Sequence, residues 1–175
     1  MDNFKQTPEY ILSQQMQPAC DRVLEHVFKS NKIKRFEKGD ELFVLDQEFH
    51  IDLVLTLPNT SQITGQEKTL SNDFYGFRTF TMEFYQNRYT KEKGEFFKIA
   101  SQFYLHGYSH KNGHNFIEWK IINILSLLSW LKSKPVTELE RSTRPSGGSR
   151  ASFFFMPYDD IPSDFIIAQW RHNKK

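Results

Sequence analysis

Apolar and polar positions alternate most clearly along "HIDLVLTL", residues 50–57. Ile51, Leu53, Leu55 and Leu57 share one parity; His50, Asp52, Val54 and Thr56 share the other. Period two marks a half-buried strand. "QITGQEKTL" repeats the alternation more weakly, and the turn residues "PNTS" between the two runs predict an antiparallel hairpin. "FRTFTMEFYQ" predicts a third strand, with Thr79 and Thr81 opposite Phe80, Met82 and Phe84. "ELFVLDQ" reads as a short strand ahead of the hairpin, joined to it by the basic connector "NKIKRFEKGD".

Elsewhere the period lengthens to three and four. In "PACDRVLEHVFKS", Pro18 opens a helix whose apolar face is Cys20, Val23, Leu24, Val27 and Phe28, with Glu25 to its side. Thr7 and Pro8 predict a shorter helix before it. "EFFKIASQFYLHGYS" also has helical spacing, through Phe96, Ile99, Ala100, Phe103 and Tyr104, with Gly107 at its end. Residues 116–121 predict a strand that passes into a helix through Leu131, closed by Pro135. A basic Gly/Ser-rich loop over 140–150 and a late strand over 151–158 follow, then the short element "SDFIIAQW". The order predicts an α+β (mixed α/β) fold, with a small, mostly antiparallel central sheet flanked by helices.

A length of 175 residues suits one domain. Seventeen Phe, 7 Tyr and 3 Trp supply a dense core with rings to spare for a binding face. A net charge of +2 permits an acidic polymer as partner without arguing for one. The lone Cys20 excludes an intramolecular disulfide and suits a buried apolar position in a reducing compartment. No basic start followed by an apolar core opens the chain. The longest apolar-rich run, "IINILSLLSWL", has 11 residues, too few for a bilayer. A soluble cytoplasmic protein with no membrane association is the expectation.

Three polar residues change the picture. If the hairpin strands pair with their polar faces together, Asp52, Gln66 and Lys68 converge, and Glu67 faces away. A carboxylate and an amide carbonyl are hard oxygen donors suited to Mg²⁺ or Mn²⁺. An ammonium beside them can hold a water and offset charge in a phosphoryl transition state. One carboxylate and one neutral amide make a weak cage, so a further acid is expected. Glu25 is the first choice, with Glu48 and Asp46 as alternatives. A solvated strand edge is the competing reading of Gln66 and Lys68. His110 and His114, in a loop around Gly113, lack a Cys partner for zinc.

At these residues the chain resembles the PD-(D/E)XK nuclease superfamily. Its core runs helix, three antiparallel strands, helix and a further strand. Asp52 matches the acid that starts the second strand. "QEK", Gln66–Lys68, matches the following motif in its rarer Gln form, and the 13 intervening residues fit the usual gap. Ile51 stands where Pro is usual, and the charged Glu67 where an apolar residue is usual. Over "QFYLHGY" the chain also resembles the Q-x-x-x-Y helix of the RecB-like branch, with His106 in place of Tyr.

The resemblance spans about residues 18–125 and implies a restriction-endonuclease-like αβββαβ core, with a C-terminal extension. It implies a metal-dependent nuclease hydrolysing DNA, with RNA as an open alternative and a homodimer suited to nicking both strands. Asp52, Gln66 and Glu25 would hold Mg²⁺ or Mn²⁺, and Lys68 would assist the attacking water. Arg141, Arg144, Arg150, Lys32, Lys34, Arg35 and Gln102 would contact the nucleic acid. The rival is a nuclease-like module that has lost its chemistry and binds nucleic acid or a protein. Bacterial and phage accessory proteins are where such small modules occur.

Overall fold

The computed structural model describes residues 7–30, 32–36, 40, 42–145 and 150–172. In chain order the elements are α1 (Pro8–Phe28), β1 (Lys32–Arg35), α2 (Phe43–Phe49), β2 (Leu53–Thr56), β3 (Gln62–Leu70), β4 (Thr79–Asn87) and β5 (Glu92–Lys93). There follow α3 (Glu95–Lys98), β6 (Phe103–Ser109), β7 (Phe116–Asn123), α4 (Ile124–Lys132), α5 (Val136–Arg141), β8 (Thr143–Pro145), β9 (Ser152–Pro157) and β10 (Ile166–Arg171). A 3-10 segment, Asn72–Phe77, joins β3 to β4.

Two sheets form. One has six strands in the order β1-β2-β3-β6-β7-β10, antiparallel throughout except for the parallel pair β3 and β6. The other has four antiparallel strands, β5-β4-β9-β8. The protein is therefore mixed α+β, with mostly antiparallel sheets, as the order of elements predicts. Among the described residues, no helix is long and apolar enough to cross a membrane.

The helix α1 covers one face of the large sheet. Thr7 caps it, its Oγ1 accepting the Tyr10 N–H at 3.3 Å, and Pro8 occupies the first turn. The helix runs unbroken through Pro18, where the sequence predicts a boundary. Met16, Ala19, Cys20 and Leu24 lie on both sides of Pro18 and pack with Leu53, Leu55, Phe103, Leu105, Trp119 and Ile121. Burying Met16 and Leu24 alone contributes about 3–6 kcal/mol, against about 3 kcal/mol for an interior proline. Packing on the sheet thus carries the helix across the proline.

The opposite face is covered by the second sheet with α4 and α5. Tyr104, Tyr108 and Ile122 pack there with Phe80, Met82, Phe84, Leu127, Leu131, Leu139, Phe154 and Met156.

Four sequence-based assignments are corrected. "ELFVLDQ" is the helix α2, not a strand. Phe43, Leu45 and Asp46 turn inward while Val44, Gln47 and Glu48 stay exposed, a helical rather than a period-two pattern. Residues 95–109 are not one helix but the single turn α3 followed by β6. All seven residues of β6 are buried because both of its faces are covered, and alternation then disappears from the sequence. The third predicted strand, β4, belongs to the second sheet rather than beside the hairpin. The supposed loop 140–150 contains the end of α5 and the strand β8, and its residues 146–149 lie outside the described residues. The connector "NKIKRFEKGD" holds the edge strand β1, with residues 31 and 37–39 likewise outside the described residues.

Candidate functional site

Register decides which side chains meet. Leu53 stands opposite Gly65, and the Asp52 N–H donates to the Gly65 carbonyl at 3.0 Å, so Asp52 lies across from Gln66. On the next strand Gln66 pairs with Tyr104 and Lys68 with His106. Asp52, Gln66, Lys68, Tyr104 and His106 therefore share one face. Glu67 points the other way, beneath α1, where Arg35 pairs with it at 3.0 Å and with Asp21 at 2.7 Å. Burial raises the Glu67 carboxyl pKa, and the Arg35 guanidinium opposes the rise. The strand register thus separates Glu67 from Gln66 and Lys68.

Asp52 is half-buried just ahead of β2, and its Oδ2 accepts the Glu67 N–H at 2.8 Å. Burial pushes its carboxyl well above the usual range, and the charges of Glu67, Asp46 and Glu95 push it further. Asp46, from α2, hydrogen-bonds the Asp52 side chain and is itself raised by burial. The backbone between them is held at His50, left-handed at φ 49°, whose carbonyl accepts from Ser101 Oγ at 2.7 Å.

The Lys68 ammonium is held against a carbonyl and a ring: Nζ donates to the Thr81 carbonyl at 3.4 Å and lies 4.8 Å from the centre of the Phe153 ring. Burial lowers its pKa, while Glu95 and Glu83 oppose the drop. Burial and then Glu95 raise the Glu83 carboxyl.

Glu95, the first residue of α3, was not singled out from the sequence. It is 6% exposed. Its Oε2 accepts the Glu83 N–H at 3.4 Å, and its Oε1 is buried with no hydrogen-bond partner among the described residues. Gln66 Oε1 and the Tyr104 hydroxyl are in the same condition, the latter beside the Glu95 carboxylate but without a complete hydrogen bond. Burial first, and Glu95 second, push the Tyr104 hydroxyl pKa well up. The signal available in the sequence was an acid directly before the apolar pair Phe96 and Phe97, the same anomaly that marks Asp52.

His106 has a settled role in the core. Tyr158 Oη is 2.6 Å from Nδ1 and donates to the His106 carbonyl at 3.0 Å, and the Thr81 N–H donates to Nε2 at 3.3 Å. This network assigns a neutral ring protonated at Nδ1. Burial, with Lys68 adding to it, takes the imidazole well below its ordinary pKa.

The second sheet forms the far wall. Glu83 pairs with Phe153, and Phe153 pairs with Arg144, so the three stand in one row. Two strand spacings place Arg144 roughly 10 Å from Glu83. Its guanidinium lies 5.8 Å from the Phe155 ring centre. Lys32 and Lys34 are exposed on the edge strand β1, opposite Thr56 and Val54 and so on the Asp52 face.

The remaining candidates lie elsewhere. Glu25 is carried by α1, across the sheet from Asp52, and lines a separate depression with Lys29, Ser30, Lys32 and Thr56. A set built on Asp52 therefore draws its further acid from Glu95 or Asp46, not Glu25, because the sheet stands between. Glu48 is exposed on α2. Arg35 is turned beneath α1 and occupied by Asp21 and Glu67, so it is not presented to a phosphate. Gln102 is not helical. It precedes β6, and its Oε1 accepts the Thr64 N–H at 2.9 Å, which ties β3 to β6. With strand at 103–109, the Q-x-x-x-Y helix does not exist here. Arg141 and Arg150 are exposed near the edge of the second sheet.

Among the described residues, no group of three or more His, Cys, Asp and Glu side chains is placed to hold a metal. The convergent oxygen donors are two carboxylates, Asp52 and Glu95, and the Gln66 amide. No known family profile, curated protein or solved structure matches the chain.

Proposed function

We propose that this chain is a metal-dependent nuclease of the PD-(D/E)XK type, hydrolysing DNA phosphodiester bonds. The observation that carries the reading is the register of β2 against β3. It sets Asp52, Gln66 and Lys68 on one face and turns Glu67 onto the other. The order α1, then antiparallel β1, β2 and β3, then β6 parallel to β3 supports a restriction-endonuclease-like core. The departure lies between β3 and β6, where β4, β5 and the single turn α3 stand in place of a full helix.

The donor set fits Mg²⁺ or Mn²⁺. Gln66 and Glu95 each present a buried oxygen without a partner, and Asp52 is crowded by carboxylates, so a cation would satisfy the first two and relieve the third. Asp52, Gln66 and Glu95 would hold the ion. When bound, such an ion polarises the phosphodiester and lowers the pKa of a coordinated water. Lys68 orients the attacking water and offsets charge on the phosphoryl group. Its lowered pKa brings it closer to accepting a proton near neutral pH. Tyr104 and Thr81 fix the floor on which the phosphate rests, and Arg144 with Lys34 holds flanking phosphates.

A second reading has one observation in its favour. The Lys68 ammonium is engaged by the Thr81 carbonyl and the Phe153 ring, as in a nuclease-like module that binds without cutting. Incubation of purified protein with supercoiled and linear DNA separates the two. Cleavage is expected with Mg²⁺ or Mn²⁺ and not with EDTA. Lys68→Ala is expected to lower the rate by about 10²–10⁴-fold, and Asp52→Ala to abolish it. Undiminished cutting by both variants sinks the site. No cutting by the wild type, with no rise in thermal stability in millimolar Mg²⁺ or Mn²⁺, leaves the binding module.

A further inference from the structure

A second cavity lies away from the acidic face, where β6, β7 and β10 end together. Its volume is about 590 Å³, and Tyr75, His110, Lys111, Ile117, Arg171 and His172 line it. That is within the range of small-molecule sites. No acidic side chain lines it among the described residues. Glu118, the nearest carboxylate by pairing, is taken by Arg78 at 2.8 Å and reaches Arg171 only at 3.9 Å. The Arg171 guanidinium is half-exposed and keeps donors for a ligand.

The walls are fixed. The His110–Asn115 turn is closed by the His110 N–H on the Asn115 carbonyl at 2.6 Å and the Gly113 N–H on the His110 carbonyl at 2.8 Å. Gly113 takes φ +69°, a left-handed value that suits glycine. Arg22, from α1, clamps the turn through the His114 carbonyl and Asn115 Oδ1, both at 3.2 Å. Tyr75 is set edge-on against Tyr108, with ring centres 5.6 Å apart. Rings also crowd the surroundings: Phe74 and Phe77 are exposed in the Tyr75 segment, and Trp170 lies 6.0 Å from His172.

Cations with exposed rings are the composition that holds single-stranded nucleic acid, the phosphates on the cations and the bases on the ring faces. We propose that this cavity binds one nucleotide of a single nucleic-acid strand, its phosphate on Lys111 and Arg171 and its base against Tyr75. Six residues of β6 separate Tyr104 from His110, so the cavity lies about 20 Å from the acidic face. A phosphate seated here is distinct from any at Asp52, and the strand is gripped at two places. The inference does not rest on the hydrolytic reading, because binding is measured with nothing being cut.

The test is fluorescence anisotropy of a labelled oligothymidylate with the full chain in EDTA, across a salt series. The double variant Lys111→Gln/Arg171→Gln is compared with wild type and with Lys29→Gln, an exposed lysine in the other depression. The double variant is expected to lose ten-fold or more in affinity. Its slope of log K against log salt should fall by about 1.4, from two lost phosphate contacts at about 0.7 each. Lys29→Gln should bind as wild type does. Thymidine monophosphate and inorganic phosphate should compete only at millimolar concentrations. Unchanged affinity and slope in the double variant overturn the proposal. So does competition by inorganic phosphate at micromolar levels, which would make this a small-anion site.

Discussion

Asp52 is a carboxylate kept where burial and three neighbouring acids oppose its charge. Such a group is costly to the fold, and its only direct compensation is the Glu67 N–H. Asp52→Asn keeps an oxygen acceptor for that N–H and removes the charge. The variant is expected to be more stable than wild type by about 1–3 kcal/mol in metal-free buffer at neutral pH, as read by urea denaturation. The same variant should lose divalent-dependent cleavage. A gain in stability that comes with a loss of chemistry separates a functional acid from a structural one. Lower stability in Asp52→Asn would mean that the carboxylate supports the fold. Glu67 is the contrasting case, since its charge is matched by Arg35 and its place is structural.

At the level of elements, the site depends on how closely β3 lies to β6 and on what fills the space beneath. Gly65 is central to this. A Cβ at Gly65 would lie 2.1 Å from Phe103 Cζ, inside the ring's contact surface. Phe103 is fully buried and packs on Phe28 with ring centres 4.9 Å apart, so it has no room to withdraw. Gly65→Ala should therefore cost about 1–3 kcal/mol. Adding Phe103→Leu, which frees the ring's volume, should recover part of that loss, so that the two changes are non-additive in a double-mutant cycle of thermal or urea unfolding. Simple additivity would mean that the two residues do not share this space. The same crowding explains why residues 103–109 escaped sequence reading as a strand. A central strand with both faces covered loses its alternation, and seven apolar-rich residues after a helical turn imitate a helix.

For the molecule as a whole, the acidic face predicts an uncommon pH response. Asp52, Asp46 and Glu83 have raised pKa values in the folded state. The folded protein then binds more protons than the unfolded chain between the two sets of values. The associated stability is fully present below the unfolded value, near 4, and is lost as pH rises through the folded values. His106 acts in the opposite direction. Its pKa is depressed, so it withdraws stability as pH falls below about 6.5. Comparing wild type with Asp52→Asn cancels the His106 contribution. The stability gap between them should be near zero at about pH 4, widen as pH rises through the raised Asp52 value, and then level off. Millimolar Mg²⁺ or Mn²⁺ should narrow the gap at neutral pH by stabilising wild type alone. Urea titrations at a series of pH values, with and without the ion, measure this. A gap independent of pH removes the case for a crowded Asp52 carboxylate.

The sequence by itself determined the local matters. Thr7 and Pro8 start α1, alternation marks β2 and β3, and "PNTS" joins them. Period two places Gln66 and Lys68 on one face and Glu67 on the other, because it is a property of the extended backbone. Tertiary structure alone decided what that face meets. The sheet places Glu25 behind it and admits Glu95 in front, since layers bring together residues whose separation in sequence carries no information. It turned Arg35 from a surface cation into the partner of a buried Glu67, and Gln102 from a helical contact into a brace between β3 and β6. Pro18 makes the same point in reverse. A local signal to stop was overridden because the buried faces on either side of it contribute more than one proline costs.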